Sequence, residues 1–356
     1  MPFEPLRVAV ISPCWFPVPP TGYGGIEWVV SLLADGLVDA GHEVTLFASG
    51  DSHTKAELAA VYDTAPSEWI GHTYWELRHS LAAYARSRDF DVLNDHTGML
   101  GVTLAGLVTT PVVHTVHGPL DGEPGEMYEQ ICSVVPNARL ISISLNQRKP
   151  KPDLPWIGNC PNALDFSLYP VHPHQGDYLL FLGRMSWEKG CHRAVAVAID
   201  TGLPLKIAGK CREPLEQEYF RQYVEPHLSD SIEYLGEVPH GEKVELLQNA
   251  RATLFPIEWE EPFGLVMIES MACGTPVIGT RWGAVPEVIE HGVTGIIVDD
   301  YRSMPAALEE ADRLDPLEIR RQAELRFSPE RMVADYVRAY REALAERLSH
   351  QRLRPA

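Results

Sequence analysis

The sequence has few basic residues for its size. Its 356 residues contain 49 Asp and Glu but only 30 Lys and Arg, which gives a formal net charge of -19. Such an excess of negative charge repels phosphate backbones and anionic lipid headgroups. We therefore expect no nucleic-acid partner and no peripheral membrane contact. The basic run formed by Arg148, Lys149 and Lys151 is interpreted as a solvated loop, without an assigned function.

Paired cysteines and clusters of metal ligands are also missing. The six cysteines form no CxxC pair, and no His or Cys stands at a metal-ligand spacing. This pattern excludes a disulfide scaffold and a zinc site of the usual spacing, and it favours reduced thiols in the cytoplasm. The acidic pair Asp299 and Asp300 is interpreted as a solvated turn. We expect neither a metal nor a cofactor.

Long apolar runs do not occur. No stretch approaches the ~20 apolar residues that a membrane span needs. The first apolar run, from Arg7 to Ser12, is short and lacks the basic flank and the small-residue cleavage site of a signal peptide. The sequence therefore predicts a soluble protein without a transmembrane segment.

The chain does contain a regular alternation of short β-rich runs and helical patterns, which is typical of parallel sheets joined by crossover helices. Its length favours two domains, so we predict an α/β fold with two Rossmann-like, doubly wound sheets. The predicted strands lie at 8–12, 44–48, 91–94, 112–116 and 140–143 in the first sheet, and at 178–182, 205–208, 232–235, 253–256, 277–279 and 296–298 in the second.

The pattern restarts after the proline-spaced segment 151–161, so we place a first domain at 1–161 and a second at 162–325. An apolar stripe after Ser328-Pro329 predicts a terminal helix within 326–356. Ligands of such folds bind outside the carboxyl ends of the strands. We therefore expect the two sheets to face each other across a ligand-binding cleft.

The most specific motif is the segment 261–269, between a predicted strand and a helix that reaches Cys273-Gly274. Gly264 at the helix start lets a ligand approach the backbone, and the N–H groups of Leu265 and Val266 with the helix dipole would hold a diphosphate. Glu269, one turn further, would accept hydrogen bonds from two ribose hydroxyls, and Glu261 would do the same for a sugar. The alternative is a capped surface helix with two solvated glutamates.

A second motif, residues 183–190, follows the predicted strand 178–182. Arg184 and Lys189 would stabilise the negative charge of a departing nucleoside diphosphate without a metal. A salt-bridged surface loop is the alternative.

Near the start of the chain, Gly24 and Gly25 at a helix entrance would form another backbone anion cradle. Glu27 occupies the place of the third glycine of a nicotinamide fingerprint, which is therefore not supported.

These segments resemble the glycosyltransferase family 4 group. The resemblance covers nearly the whole chain, and it includes Gly22-Tyr-Gly-Gly25-Ile-Glu, Gly41-His-Glu-Val, Asn162, Ile207-Ala-Gly209 and Gly274-Thr-Pro-Val277. It implies the GT-B fold, with an acceptor domain, a nucleotide-sugar donor domain and a terminal helix that returns to the first domain. It also implies transfer with retention at the anomeric carbon.

The resemblance assigns roles to individual positions. The matches imply that Arg184, Lys189, Glu269 and the backbone of Gly264 and Leu265 bind the nucleotide, and that Glu261 contacts the donor sugar. The matching positions Phe263 and Gly209 are included in the predicted substrate-binding set.

Histidines and aromatics near strand ends complete the candidates. His117 matches a family histidine beside the donor sugar, with a hydrogen-bonded structural role as the alternative, and His96 is placed on the acceptor side. Trp15, Phe16 and Tyr23 would stack on a sugar acceptor, although aromatics in such a loop more often pack against the core.

The hypothesis is therefore a retaining, metal-independent glycosyltransferase that moves a sugar from a nucleotide-sugar donor to an acceptor hydroxyl. A UDP-sugar is favoured, and GDP- or ADP-sugars remain open. In the mechanism usual for such enzymes the leaving phosphate deprotonates the acceptor, so no protein nucleophile is assigned.

The alternatives are a nucleotide-sugar epimerase of similar fold and a non-catalytic nucleotide-sugar-binding protein. A glycoside hydrolase fits less well, because Glu269 is placed for a ribose and not beside a scissile bond. The acceptor and the oligomeric state stay open.

Overall fold

The computed structural model describes residues 4–22, 24–172 and 176–352, with side chains up to residue 348. Tyr23 of the first loop therefore lies outside the described residues. The chain divides into two compact units, residues 1–163 with 329–356 and residues 164–328. Each unit has its own sheet and its own core.

The first unit is built on a sheet of seven parallel strands in the order β3-β2-β1-β4-β5-β6-β7. The five strands predicted in this half are present, and two more, β3 and β7, are added at the two edges of the sheet. Strand β7 lies inside the segment that the proline spacing marked as a junction. The bounds are β1 Arg7–Ile11, β2 Glu43–Ala48, β3 Glu57–Ala60, β4 Val92–Asp95, β5 Val112–Thr115, β6 Ala138–Ser142 and β7 Trp156–Asn159.

Four helices connect these strands. The first presents the predicted apolar face to the core, with Val29, Val30, Leu33 and Leu37 buried. Its burial against the sheet, rather than its helix propensity, supplies most of its stability. The bounds are α1 Gly25–Asp39, α2 Thr73–Ala85, α3 Met99–Leu104 and α4 Glu123–Val134, with 3-10 turns at Ser67–Trp69, Ser87–Asp89, Ala105–Leu107 and Asn146–Arg148.

The second unit is built on six parallel strands in the order β10-β9-β8-β11-β12-β13. All six were predicted, with boundaries that differ by up to three residues. The strand bounds are β8 Tyr178–Leu182, β9 Leu205–Ala208, β10 Ile232–Tyr234, β11 Ala250–Phe255, β12 Val277–Thr280 and β13 Gly295–Val298. The helix bounds are α5 Cys191–Thr201, α6 Pro214–Tyr223, α7 His240–Gln248, α8 Leu265–Ala272, α9 Val285–Val288, α10 Met304–Ala311 and α11 Pro316–Phe327, with 3-10 turns at Phe166–Leu168, Glu225–His227 and Tyr301–Ser303.

Both sheets have the doubly wound strand order, which confirms the predicted α/β class. In each unit the first strand pairs with the second on one side and with the fourth on the other. The strand order reverses between the first and fourth strands, which is the topological switch point of the sheet. Ligands of such folds bind there, outside the carboxyl ends of the strands. The loops after β1 and β4, and those after β8 and β11, are therefore the places to look for a site.

A last helix, α12 (Pro329–Arg352), belongs to the first unit. It packs on α1, β5 and β7, as the resemblance implied. Its residues Met332, Tyr336 and Tyr340 are fully buried. Val333 packs so closely on α1 that a Cβ at Gly36 would lie 2.6 Å from its Cγ2 atom. The helix therefore completes the core of the first unit.

We predict that Tyr336→Ala destabilises the first unit by about 3–5 kcal/mol, because it removes a buried ring and leaves a cavity. The measurement is urea denaturation. The control is Arg338→Ala on the same helix, whose side chain is 71% exposed, and it should change the free energy of unfolding by less than about 0.5 kcal/mol. Equal effects of the two variants would contradict a core role for α12.

Candidate functional site

The loops after β8 and β11 are joined by a buried arginine. Arg193, in the first turn of α5, donates to the carbonyl of Pro256 at 3.0 Å and to that of Trp187 at 3.4 Å. Its Nη2 atom pairs with Glu258 at 2.5 Å, and only 3% of its side chain is exposed. One guanidinium thus holds both loops in a fixed relation.

Glycines allow the backbone to pack closely around this point. Gly209, directly after β9, has φ +150°, and a Cβ there would lie 1.8 Å from the carbonyl oxygen of Gly183. Gly190 has φ +77°, and a Cβ there would lie 2.4 Å from the carbonyl oxygen of Pro256. Side chains are excluded at both positions by backbone atoms. Gly209, a predicted substrate-binding residue, therefore has a packing role that is sufficient to require glycine.

The amino end of α8 lies at the carboxyl edge of this sheet. Gly264 precedes the helix in the left-handed conformation with φ +83°, and Leu265 is the first helical residue. The first N–H groups of a helix have no acceptor within it, and the helix dipole adds partial positive charge there. Phe263 is 3% exposed and packs edge-on against Phe327 with ring centroids 5.8 Å apart. Its side chain therefore anchors the loop, and the ring itself is not presented at the surface.

The structure brings Lys189 and Glu261 together although they are 72 residues apart. The Nζ atom of Lys189 forms a short ion pair with Oε2 of Glu261, and it lies 4.7 Å from the ring centroid of Trp259. The two side chains are 18% and 9% exposed. The loop of Glu261 is fixed by a hydrogen bond from the N–H of Ala284 to its carbonyl, at 2.9 Å. Two predicted site residues thus form one charged pair.

Arg184 lies in the same loop as Lys189 and is more exposed. Its Nη2 atom contacts Oε1 of Glu188 at 3.3 Å, and 40% of its side chain is exposed. Exposed pairs of this kind contribute little to stability, so the guanidinium can exchange this partner for a ligand at small cost.

Glu269 is buried, and it is held by two residues that the sequence did not point to. Its Oε1 atom accepts hydrogen bonds from the hydroxyl of Tyr169 at 2.9 Å and from Nζ of Lys243 at 2.5 Å. Burial, together with the neighbouring carboxylate, raises the pKa of Tyr169 far above its ordinary value. Tyr169 therefore remains a neutral donor. Since it lies 100 residues from Glu269 in the chain, no local pattern could have revealed the contact.

In the first unit, two predicted histidines form a hydrogen-bonded pair after β4 and β5. His96 Nδ1 lies 2.9 Å from His117 Nε2, and the rings stack with centroids 5.1 Å apart. His96 is 2% exposed, whereas His117 is only partly buried. The pair therefore extends from the core to the surface.

Hydrogen bonds fix the protonation of this pair from the inside outward. Asn94 donates through Nδ2 to the carbonyl of Val113 at 3.0 Å, so its Oδ1 atom is the acceptor. Oδ1 receives the hydroxyl of Tyr340 at 2.7 Å and lies 2.9 Å from His96 Nε2, which must therefore carry the proton.

The proton on Nε2 makes Nδ1 of a neutral His96 an acceptor. His117 must then donate from Nε2, and its Nδ1 atom keeps a lone pair. Burial, and next the charge of His114, lowers the pKa of His117 to about 3. Burial also lowers the pKa of His96 well below its ordinary range. Both rings are neutral at physiological pH, and His117 presents an acceptor nitrogen.

The predicted cradle at Gly24 and Gly25 is present at the start of α1 but has a carboxylate beside it. Gly24 has φ +147° and precedes the helix. A Cβ there would lie 2.9 Å from Oε2 of Glu27, which is 4% exposed. Burial raises the pKa of Glu27 to about 7. An anion at this helix end would meet a partly ionised carboxylate, so the amino end of α8 is the better anion site.

Some of the other charged residues named in the sequence analysis form ion pairs or hydrogen bonds, and Arg148 of the basic run donates to Oγ of Ser142 at 2.7 Å. Asp299 pairs with Arg281 at 2.7 Å, Asp300 accepts from the N–H of Arg302 at 2.9 Å, and Lys151 pairs with Glu129 at 2.6 Å. Residues 4–22, 24–172 and 176–352 contain no group of three or more His, Cys, Asp or Glu that could hold a metal ion. None of the helices within these same ranges has the length and hydropathy of a membrane-spanning segment.

We predict that His117→Gln makes the stability of the first unit less dependent on pH. The folded-state pKa of His117 lies near 3, below its ordinary value of 6.5, so the unfolded chain binds more protons. The contribution of neutral His117 to the free energy of unfolding is fully present above about pH 6.5, and it is lost as the pH falls toward 3. Urea denaturation at pH 7, 5.5 and 4 measures the difference.

The exposed His53 provides the control for this variant. His53→Gln should leave the decline of the unfolding free energy unchanged, whereas His117→Gln should make it shallower. A decline as steep as that of the unmodified protein in both variants would contradict the assignment of a neutral His117.

Two family models match the chain. One, described as Glycosyltransferase Family 4, matches residues 23–152, and the other, described as Glycosyl transferases group 1, matches residues 170–322. A glycogen synthase of Mycobacterium tuberculosis is 26% identical in an alignment that covers 93% of this chain and 91% of that protein.

Solved structures are similar over almost the full length. AviGT4, a glycosyltransferase involved in avilamycin A biosynthesis, has a TM-score of 0.68 at 28% identity and covers 96% of this chain and 98% of its own. Anabaena Alr3699/HepE in complex with UDP and glucose has a TM-score of 0.71 at 17% identity, covering 97% of this chain and 100% of its own.

Proposed function

We propose that this chain, which belongs to glycosyltransferase family 4 and has the GT-B fold, transfers a sugar from a UDP-sugar to an acceptor hydroxyl, with retention and without a metal ion. The observation that carries the proposal is the grouping of the Lys189–Glu261 pair, the amino end of α8 and the fixed carboxylate of Glu269. Each of these groups fits one part of a nucleotide sugar.

The diphosphate is assigned to the amino end of α8. The N–H groups of the first turn and the helix dipole favour an anion there. Lys189 and Arg184 lie in the loop after β8 at the same sheet edge. Their cations would stabilise the charge that develops on the leaving nucleoside diphosphate, which is the step that a metal ion serves in other enzymes.

The ribose is assigned to Glu269. Tyr169 and Lys243 both bond its Oε1 atom, so Oε2 is available to a vicinal diol. A carboxylate that is already oriented loses little conformational freedom when it accepts such hydrogen bonds.

The sugar is assigned to Glu261, and the role beside the sugar that the resemblance implies for His117 of the first unit stays a prediction. A carboxylate and a neutral imidazole with a free lone pair both accept hydrogen bonds from hydroxyls. Neither is placed as a nucleophile in the proposal. The leaving phosphate takes the proton of the acceptor hydroxyl on the same face of the sugar, which accounts for retention.

The choice of UDP draws on the similar Anabaena protein, whose solved structures hold UDP, UDP-glucose, or UDP and glucose. GDP- and ADP-sugars are the alternatives, because the contacts assigned to the diphosphate and the ribose do not distinguish one nucleobase from another.

We predict that Lys189→Ala and Glu269→Ala each reduce transfer at least about 100-fold, since each removes a charged contact to the nucleotide. Initial rates of UDP release from UDP-sugars in the presence of acceptors measure the effect. Glu318→Gln is the matched control, because Glu318 forms a surface pair with Arg321 in the same unit. Near-normal turnover in both active-site variants would overturn the assignment.

We predict that UDP stabilises the chain more than GDP, ADP or dTDP, and equally well with EDTA present. A ligand at 100 times its dissociation constant adds about 2.7 kcal/mol to the free energy of unfolding, which a thermal-shift assay resolves. No response to any nucleotide would refute the donor site, and a response abolished by EDTA would refute metal independence.

The products separate the proposal from its rivals. An epimerase would convert the donor sugar without any acceptor. A non-catalytic binding protein would respond to the nucleotide without slow hydrolysis of the donor. The anomeric configuration of the product, read by NMR coupling constants, decides between retention and inversion.

A further inference from the structure

A cleft of about 380 Å³ lies in the first unit, directly after β3. It is formed by the segment that follows this strand and by the start of α2, and its lining includes Tyr62, Asp63, Glu68, Trp69 and Trp75. Since the strands are parallel, the cleft is at the same sheet edge as His96 and His117, which follow β4 and β5.

Three aromatic side chains, Tyr62, Trp69 and Trp75, line one part of this cleft. Trp69 and Trp75 are nearly parallel, with centroids 5.9 Å apart and an interplanar angle of 16°, and Trp75 packs on Tyr62 at 4.9 Å. Trp69 is 44% exposed, which is a large apolar surface to leave in water. Flat indole faces of this kind match the C–H faces of sugar rings, and aromatic rings beside a few polar groups are typical of small-ligand sites.

Hydrogen bonds hold the cleft in shape. The hydroxyl of Tyr62 donates to the carbonyl of Trp75 at 3.0 Å, and Oγ of Ser67 donates to the carbonyl of Trp15 at 2.6 Å. Trp15 itself is 9% exposed and packs in a small core with Tyr62. The packing role that the sequence favoured for Trp15 is therefore confirmed, and the exposed indole belongs to Trp69.

The charges in the cleft select among ligands. Asp63 and Glu68 line it, and its described lining contains no Lys, Arg or His. Arg78 lies 5.3 Å from the Tyr62 ring centroid but is not part of the lining. Carboxylates accept hydrogen bonds from hydroxyls and repel phosphates. The cleft therefore favours an uncharged polyhydroxy compound over a phosphorylated one.

The distance along the sheet bears on the size of the ligand. In the order β3-β2-β1-β4-β5, four strand spacings separate β3 from β5. At about 4.8 Å per spacing this is about 19 Å. A single sugar ring is too small to lie both on Trp69 and beside His117, so a ligand that reaches both must contain several rings.

We propose that this cleft is an acceptor subsite that binds a sugar unit of a neutral oligosaccharide, stacked on Trp69 and hydrogen-bonded to Asp63 and Glu68. The inference rests on the proposed function, because it makes the ligand of the cleft the acceptor of the transfer reaction. It extends that function by naming the acceptor class, an uncharged glycan of several residues.

The test is isothermal titration of the full chain with maltotetraose, cellotetraose and 1,4-mannotetraose, and with inositol phosphate as the anionic probe. At least one tetrasaccharide should bind and quench tryptophan fluorescence. Trp69→Ala should weaken this binding about tenfold or more, which is the loss of one stacking contact, and Trp69→Phe should retain part of it.

The control is Tyr74→Ala. Tyr74 is 67% exposed and contacts Trp75, yet it lies outside the cleft lining, so its removal should change the affinity less than twofold. The proposal is overturned if no tetrasaccharide binds, if Trp69→Ala binds as the unmodified chain does, or if inositol phosphate binds more tightly than every neutral sugar.

A separate titration of the unmodified chain with UDP measures the affinity of the proposed donor site. Failure of UDP to bind while a tetrasaccharide binds through Trp69 would refute the proposed function and leave a glycan-binding cleft. Normal UDP binding without any Trp69-dependent sugar binding would refute the acceptor subsite alone.

Discussion

In a parallel sheet every strand delivers its carboxyl end to the same edge, and both units of this chain depend on that constraint. In the second unit it places the loops after β8 and β11 side by side, and the buried Arg193 then joins them. In the first unit it places His96 and His117 just after the adjacent strands β4 and β5. Residues far apart in the chain thus come within hydrogen-bond distance without any special local sequence.

Electrostatics in the second unit follow from this geometry. Lys189 and Glu261 neutralise each other while partly buried, and Glu269 is compensated by Lys243 and Tyr169. Removing one partner of such a pair leaves an uncompensated charge in a poorly solvated place, which is costly. The same pairs also hold in a fixed orientation the side chains that we propose to bind the nucleotide sugar. Stability and pre-organisation therefore come from the same contacts.

The helix α12 links the core of the first unit to its histidine pair. Tyr340 bonds Asn94, which bonds His96, which bonds His117. The periodic stripe in the sequence predicted that this helix has one buried face, because apolar spacing is a local property. It could not indicate that the hydroxyl of Tyr340 on that face donates to Oδ1 of Asn94, which lies 246 residues away in the chain and also bonds His96.

Local patterns along the chain were sufficient to predict the α/β class, eleven of the thirteen strands among the described residues, and the charged residues of the two loop motifs. Hydrophobic periodicity and glycine placement are local properties, and they need no knowledge of distant contacts. These patterns missed β3 and β7, which are short edge strands, and they could not place Phe263 in the core or Trp69 at the surface. The partners of Glu269, the carboxylate beside Gly24 and the aromatic cleft became apparent only in the folded chain. Burial and pairing depend on which distant segments pack together, and the spacing of residues along the chain does not indicate which segments these are.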